Sequence, residues 1–187
     1  GQITLKGGGL EIEKRNNVII KGLRIRGAKS GKDGIQIVGS HSVVIDHVSV
    51  HGSGDGNIDI TNDSHDITVQ WSILAEPSGS GKNMLLSRRP LRVSLHHNLL
   101  IRAFQRNPKV KMDDAQTPAP DTQLDMRNNI VWDWGEGFGT LVTEGGSANV
   151  VNNFYHNSDF SKALRVSVTS RAYTSGNVPE ELNKAGK

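Results

Sequence analysis

Apolar residues in this chain occur in short alternating runs, and the runs return at a nearly fixed interval. NVIIKGL (Asn17–Leu23), SVVIDHV (Ser42–Val48), DITVQWS (Asp66–Ser72), RVSLHHN (Arg92–Asn98), LDMRNNI (Leu124–Ile130) and ANVVNNF (Ala148–Phe154) share one pattern. An apolar residue, a gap and a second apolar residue are followed by polar or small ones. The second apolar position falls at Ile20, Ile45, Val69, Leu95, Met126 and Val150, at spacings of 25, 24, 26, 31 and 24. A second series lies between them: GIQI, NIDI, NMLL and PKVK, continued less clearly by GTLV. Its last apolar position falls at Ile37, Ile60, Leu86 and Val110, at spacings of 23, 26 and 24. Period-two alternation in short runs predicts strands with one buried face. No stretch before the tail carries sustained helical periodicity. The expected class is therefore all-β, a right-handed parallel β-helix (β-solenoid) with coils of about 25 residues, in which stacking buries what no single coil can. A β-sandwich would call for hairpin turns at irregular intervals, and the steady period speaks against it.

The offset from strand to bend is constant, and Asn98, Asn129 and Asn153 share it. Stacked asparagines can hydrogen-bond from coil to coil in an in-register ladder; the plainer alternative is ordinary turn asparagine. His96 and His97 precede Asn98 and read as structural, because no third metal ligand lies nearby in the sequence. The whole chain, residues 1–187, reads as one domain. Residues 161–187 form a C-terminal tail or cap, where Pro179, Glu180 and Glu181 resemble a helix start.

Composition sharpens this picture at a few points. The chain is 35% hydrophobic, lean for a globular core, but its Val, Ile and Leu content favours strands. The 21 glycines, with many Asn, Asp and Ser, imply frequent turns. With no cysteine there are no disulfides. No segment approaches a membrane span and none has the form of a signal peptide. Gly1, rather than Met, suggests a processed or trimmed N-terminus. The net charge of +3 mildly favours a polyanionic partner, but the scattered Lys and Arg argue against nucleic acid.

Stacking turns repeat positions into columns, with coils about 4.8 Å apart. Four residues before Ile37, Ile60, Leu86 and Val110 stand Asp33, Gly56, Lys82 and Arg106. Asp55 precedes Gly56, and Asp59 precedes Ile60. Three carboxylates and two cations therefore gather along one edge. Neighbouring carboxylates repel unless a cation lies among them, and an all-oxygen, partly open cluster suits Ca²⁺. The alternative is a surface network in which Lys82 and Arg106 simply neutralise the aspartates.

VVIDHVS, DGNIDI, SHDITVQWS, Lys82 before MLLS, SLHHNLL and QRNPKVK, in this order and spacing over Asn17 to Asn157, resemble the motif series of pectate lyases of polysaccharide lyase family 1. The resemblance implies cleavage of polygalacturonate, or a related polyuronate, by Ca²⁺-dependent β-elimination to unsaturated oligogalacturonates. It implies a monomer that is secreted or periplasmic. Residue by residue, it implies Asp33, Asp55 and Asp59 as calcium ligands, Lys82 as the contact to the substrate carboxylate and Arg106 as the catalytic base. Lys111 stands where the family has a second, substrate-binding arginine; the charge is kept and the bidentate fork is lost. Asp46 and His47 match an IDH element, read as structural. The link from His47 to Asp55 is shorter than in many members. The N-terminal region is also short, as though coils and a capping helix were missing.

The chemistry suits the column. The C5 proton of a uronate lies α to a carboxylate, so removing it loads charge onto an anion. Calcium and Lys82 would stabilise that charge, Arg106 would take the proton, and the oxygen on C4 would leave. A guanidinium is normally always charged, so an arginine base requires neighbouring cations and implies an alkaline optimum. Three other readings stand beside this one. A calcium-independent pectin lyase would not need three carboxylates. A non-catalytic carbohydrate-binding solenoid would not need Arg106. A glycoside hydrolase would use carboxylates flanking the bond.

Overall fold

The computed structural model of the chain describes residues 3–79, 81–113, 119–159 and 161–184. Among them, three parallel sheets of seven strands each wind into a solenoid. The first sheet is built of triplets: Thr4–Lys6, Arg24–Arg26, Ser49–His51, Ile73–Ala75, Leu99–Ile101, Ile130–Trp132 and Phe154–His156. The second runs from Leu10–Glu13 through Ile35–Val38, Gly56–Thr61, Lys82–Ser87, Lys109–Lys111 and Thr140–Thr143 to Leu164–Val166. The third runs from Asn16–Lys21 to Arg171–Ser175. The β-solenoid with coils of about 25 residues, expected from the period, is the architecture found.

The registers are those the repeat called for. In the third sheet Ile20 pairs with Ile45, then Val69, Leu95, Met126 and Val150 in turn. In the second, Ile37 pairs with Ile60, Leu86, Val110 and Val142. These side chains point inward and are buried, apart from the half-buried Ile20 on the first coil, as are Ile25, Val50, Leu74, Leu100, Val131 and Tyr155 from the first sheet. Each coil supplies one apolar residue per column, so burial is continuous along the axis.

The sharp bend between the third and first sheets is held by the expected asparagine ladder. The Asn98 backbone N–H donates to Asn129 Oδ1 at 2.9 Å, Asn129 N–H to Asn153 Oδ1 at 3.0 Å, and Asn153 N–H to Asn177 Oδ1 at 3.0 Å. Ser72 N–H starts the series on Asn98 Oδ1. One position earlier, His47, Trp71 and His97 have left-handed φ of 52°, 49° and 57° and stack their rings from coil to coil. His97 is thus a stacking residue, in keeping with the structural reading. Asp46 is buried and accepts from His47 Nδ1, Gln70 Nε2 and the Lys21 ammonium. Burial pushes its carboxyl up, and these partners outweigh that and bring it down to about 2.

Leu164–Val166 and Arg171–Ser175 extend two of the sheets, so the stretch from 161 onward contributes strands of its own before a short 3₁₀ helix, Glu180–Lys184. There Asn183 Oδ1 accepts from Asn177 N–H and so closes the ladder. Residues 185–187 of the expected cap lie outside the described residues.

Candidate active site

The outer face of the second sheet and the loops leading into it carry the charged column. Asp33 lies just before Ile35–Val38, and Asp55 just before Gly56–Thr61. Gly56 N–H donates to Asp33 Oδ1 at 2.9 Å, which ties one coil's carboxylate to the next coil's backbone. A methyl group placed on Gly56 would lie 2.8 Å from Asp59 Oδ1 and 3.0 Å from Asp33 Oδ1. Both carboxylates therefore converge on a position that must carry no side chain. Asp55 Oδ1 accepts from Lys82 Nζ at 2.7 Å, and Lys82 pairs with Gly56 across the sheet.

The electrostatics follow from this crowding. Burial, reinforced by the charge on Asp55, raises the Asp33 carboxyl above its ordinary value against the Gly56 hydrogen bond. Asp59 is pushed up to about 7, first by burial and then by the charge on Asp33. Lys82 and Arg106 act on both aspartates in the opposite sense. The column thus brings Asp33, Asp55, Asp59 and Lys82 together, with Arg106 close enough for its charge to act on Asp33 and Asp59.

Arg106 sits one place away from its expected partner. Lys82 pairs with Gln105, whereas Leu85 pairs with Lys109, so three steps on one strand face four on the other. The extra residue is a bulge around Asn107–Pro108, where proline has no N–H to give the ladder. Met84 N–H donates to the Arg106 carbonyl at 2.7 Å. Arg106 itself has φ of 64°, and its Nε is buried with no hydrogen-bond partner among the described residues. A left-handed backbone beside a bulge re-aims a side chain, which a simple count of four residues cannot anticipate.

Lys111 lies on the same outward face, but it is held by Asp113 and, at 3.2 Å, by Glu144. Burial lowers its ammonium and these two carboxylates more than offset it. A substrate carboxylate would have to compete with both. Lys109 was not singled out from the sequence. It continues the outward column Gln36–Asp59–Leu85–Lys109 and pairs with Glu144 at 3.6 Å.

A second, internal ladder also went unread. Asn57 Nδ2 donates to Asn83 Oδ1 at 2.9 Å, and Asn83 Nδ2 to Asn107 Oδ1 at 2.7 Å, all three buried. Each asparagine directly follows a residue of the column: Gly56, Lys82 and Arg106. The signal was present as an Asn spacing of 26 and 24, but these asparagines sit at strand starts, where the apolar pattern draws the eye to the residues after them. Where the groove begins, a pocket of about 310 Å³ is bounded by Gly9, Lys29, Lys32, Asp33 and Gln36 among others.

Among the described residues, no three His, Asp or Glu side chains are close enough as they stand to hold an ion. Asp33 and Asp59 converge, but Asp55 faces Lys82. The donor chemistry, all carboxylate oxygen, fits a hard cation such as Ca²⁺, and burial together with mutual repulsion raises the Asp33 and Asp59 carboxyls.

Stacked coils with carboxylates and cations along one sheet edge define a parallel β-helix protein with an acidic–basic groove. Known proteins make this more specific. The chain is 34% identical over 181 residues, 94% of its length, to a probable pectate lyase C of Aspergillus fumigatus. It is 30% identical over 125 residues, 58% of its length, to a pectate trisaccharide-lyase of Thermotoga maritima. It superimposes on a thermostable pectate lyase with a TM-score of 0.72 and 22% identity, covering 93% of this chain and 51% of that one. No family model matches. The chain is a homologue of the pectate lyases. It spans 39% of the length of the Aspergillus relative and 34% of the Thermotoga one.

Proposed function

We propose that this chain carries the active groove of a calcium-dependent pectate lyase, a secreted enzyme that cleaves polygalacturonate by β-elimination to unsaturated oligogalacturonates. The observation that carries this reading is the gathering of Asp33, Asp55, Asp59, Lys82 and Arg106 on one edge, with Asp59 raised to about 7. Homology to proteins named as pectate lyases supports the same substrate class.

Asp33, Asp59 and, once released from Lys82, Asp55 would hold the cation. When bound, it would supply positive charge against the substrate carboxylate and the charge that builds there. Lys82 exchanges Asp55 for that carboxylate and fixes its plane. Arg106, as the neutral guanidine, would receive the proton from C5 and become a guanidinium. The electron pair of the C5–H bond forms the C4–C5 double bond as the C4–O bond breaks, and water protonates the departing oxygen. Lys109 and Lys111 add positive potential along the groove, which favours a polyanionic chain.

A calcium-independent lyase is the second reading, favoured by the Lys82–Asp55 ion pair at 2.7 Å. The deciding experiment follows the absorbance of unsaturated uronate with polygalacturonate, in chelator and with added Ca²⁺. Turnover only with Ca²⁺ supports the first reading. Full turnover in excess chelator supports the second, and no turnover in either condition removes both.

A further inference from the structure

Phe104 stands two residues before Arg106 and is 46% exposed. Its backbone is nonetheless tied on both sides. Gln105 N–H donates to the Gly81 carbonyl at 3.2 Å, and Gly135 N–H donates to the Ala103 carbonyl at 3.2 Å. The ring lies in a glycine cradle. A Cβ on Gly135 would come within 2.7 Å of Phe104 Cδ2, and one on Gly81 within 2.7 Å of Phe104 Cβ. A Cβ on Gly137 would come within 3.3 Å of Phe104 Cδ1. Gly81 also has a left-handed φ of 64° that favours glycine in its own right. Gly135 has no such φ, and the atoms nearest to a side chain there all belong to Phe104, its ring first. The chain thus clears space on the following coil for a large apolar ring and still leaves it open to solvent.

Some exposed rings elsewhere are accounted for by stacking. Trp132, Phe154 and His156 stack on one another across the first sheet. Among the described residues Phe104 belongs to no such stack; it sits on the loop wall at the Arg106 coil. A galacturonate ring has one face made of C–H groups, because the axial oxygen on C4 leaves H3, H4 and H5 together on the opposite side. That face is apolar, and its natural partner is an exposed aromatic held in place in advance.

We infer that Phe104 is a substrate-binding residue, stacking on the C–H face of a uronate ring beside the one whose proton Arg106 receives. The inference deepens the lyase reading and rests on it. Because Phe104 stacks on a sugar that does not react, it holds ground state and transition state alike, so its loss raises KM and leaves kcat unchanged.

The test compares Phe104→Ala, Phe104→Trp and, as a control on another face, Phe154→Ala, which replaces a ring that is 40% exposed. Two measurements are made: initial rates on polygalacturonate with Ca²⁺, and retardation in polygalacturonate-containing gels. Phe104→Ala is expected to raise KM by about tenfold with kcat within about twofold, and to lose retardation in proportion. Phe104→Trp is expected to keep both, and Phe154→Ala to change neither. An unchanged KM and retardation in Phe104→Ala, or an equal effect of Phe154→Ala, overturns the inference while leaving the lyase reading intact. Retardation without turnover in the unaltered protein overturns the lyase reading, and the gels then decide Phe104 alone. Neither turnover nor retardation overturns both.

Discussion

Asn129→Ala tests whether the bend ladder holds the solenoid together or merely decorates it. Asn129 is 1% exposed. Its Oδ1 accepts from Asn98 N–H at 2.9 Å and from Asn98 Nδ2 at 3.0 Å. Its Nδ2 donates to the Leu95 and Arg127 carbonyls and to Asn153 Oδ1, at 2.8, 2.9 and 2.9 Å. Alanine deletes all five contacts. The Asn98 side chain keeps other acceptors, the Val69 and His96 carbonyls, but the Asn98 backbone N–H loses its acceptor in the interior. A buried polar group left unsatisfied costs about 1–3 kcal/mol, and the lost contacts among partly satisfied groups add about 1 kcal/mol each at most. The expected loss is about 3 kcal/mol, a large fraction of the ~5–15 kcal/mol that holds a typical domain folded. Urea unfolding followed by far-ultraviolet circular dichroism reads this directly. With a slope of about 2 kcal/mol/M, the midpoint should fall by about 1.5 M. Asn16→Ala, at an exposed position on the first coil, should stay within about 0.5 kcal/mol. If Asn129→Ala shifts the midpoint no further than Asn16→Ala, the ladder is not what holds the bend.

Three further outcomes follow from the groove. In metal-free protein Asp59 keeps its proton up to about pH 7, against 3.8 for an ordinary aspartate. The folded state then binds more protons than the unfolded one between those values, so stability should fall as pH rises from about 4 to about 7, by on the order of 4 kcal/mol, and level off above. Asp59→Asn should remove most of that slope in thermal melts run in chelator, and an unchanged slope would refute the assignment to Asp59. Arg106→Lys should lower turnover by ~10²–10⁴-fold, because it keeps the charge and loses the guanidinium fork, while calcium affinity measured by titration stays within a few-fold; near-normal turnover would take Arg106 out of the mechanism. Binding to polygalacturonate should weaken as salt rises, since exposed charges are screened beyond about 10 Å at 0.1 M, and salt-independent retention would place the polymer away from Lys82, Lys109 and Lys111.

The period of the apolar pattern by itself determined the fold class, the columns from Ile20 to Val150 and from Ile37 to Val110, and the ladder of Asn98, Asn129 and Asn153. It also brought Asp33, Asp55, Asp59 and Lys82 to one edge. It could do so because a stacked coil has little freedom: a residue's place in the repeat is its place in space. What breaks the repeat needed the tertiary structure. The bulge that sets Gln105, not Arg106, opposite Lys82 depends on how Pro108 and a left-handed Arg106 fit between neighbouring strands, and both are invisible to counting. The triplets of the first sheet are too short to show alternation. Asn57, Asn83 and Asn107 declare themselves only when their side chains are seen to turn inward. The partner choices of Asp55 for Lys82, and of Lys111 for Asp113 and Glu144, are side-chain rotations. So is the rest position of Phe104 over Gly135. No sequence interval encodes a rotamer, because it is selected by whatever the neighbouring coil leaves open.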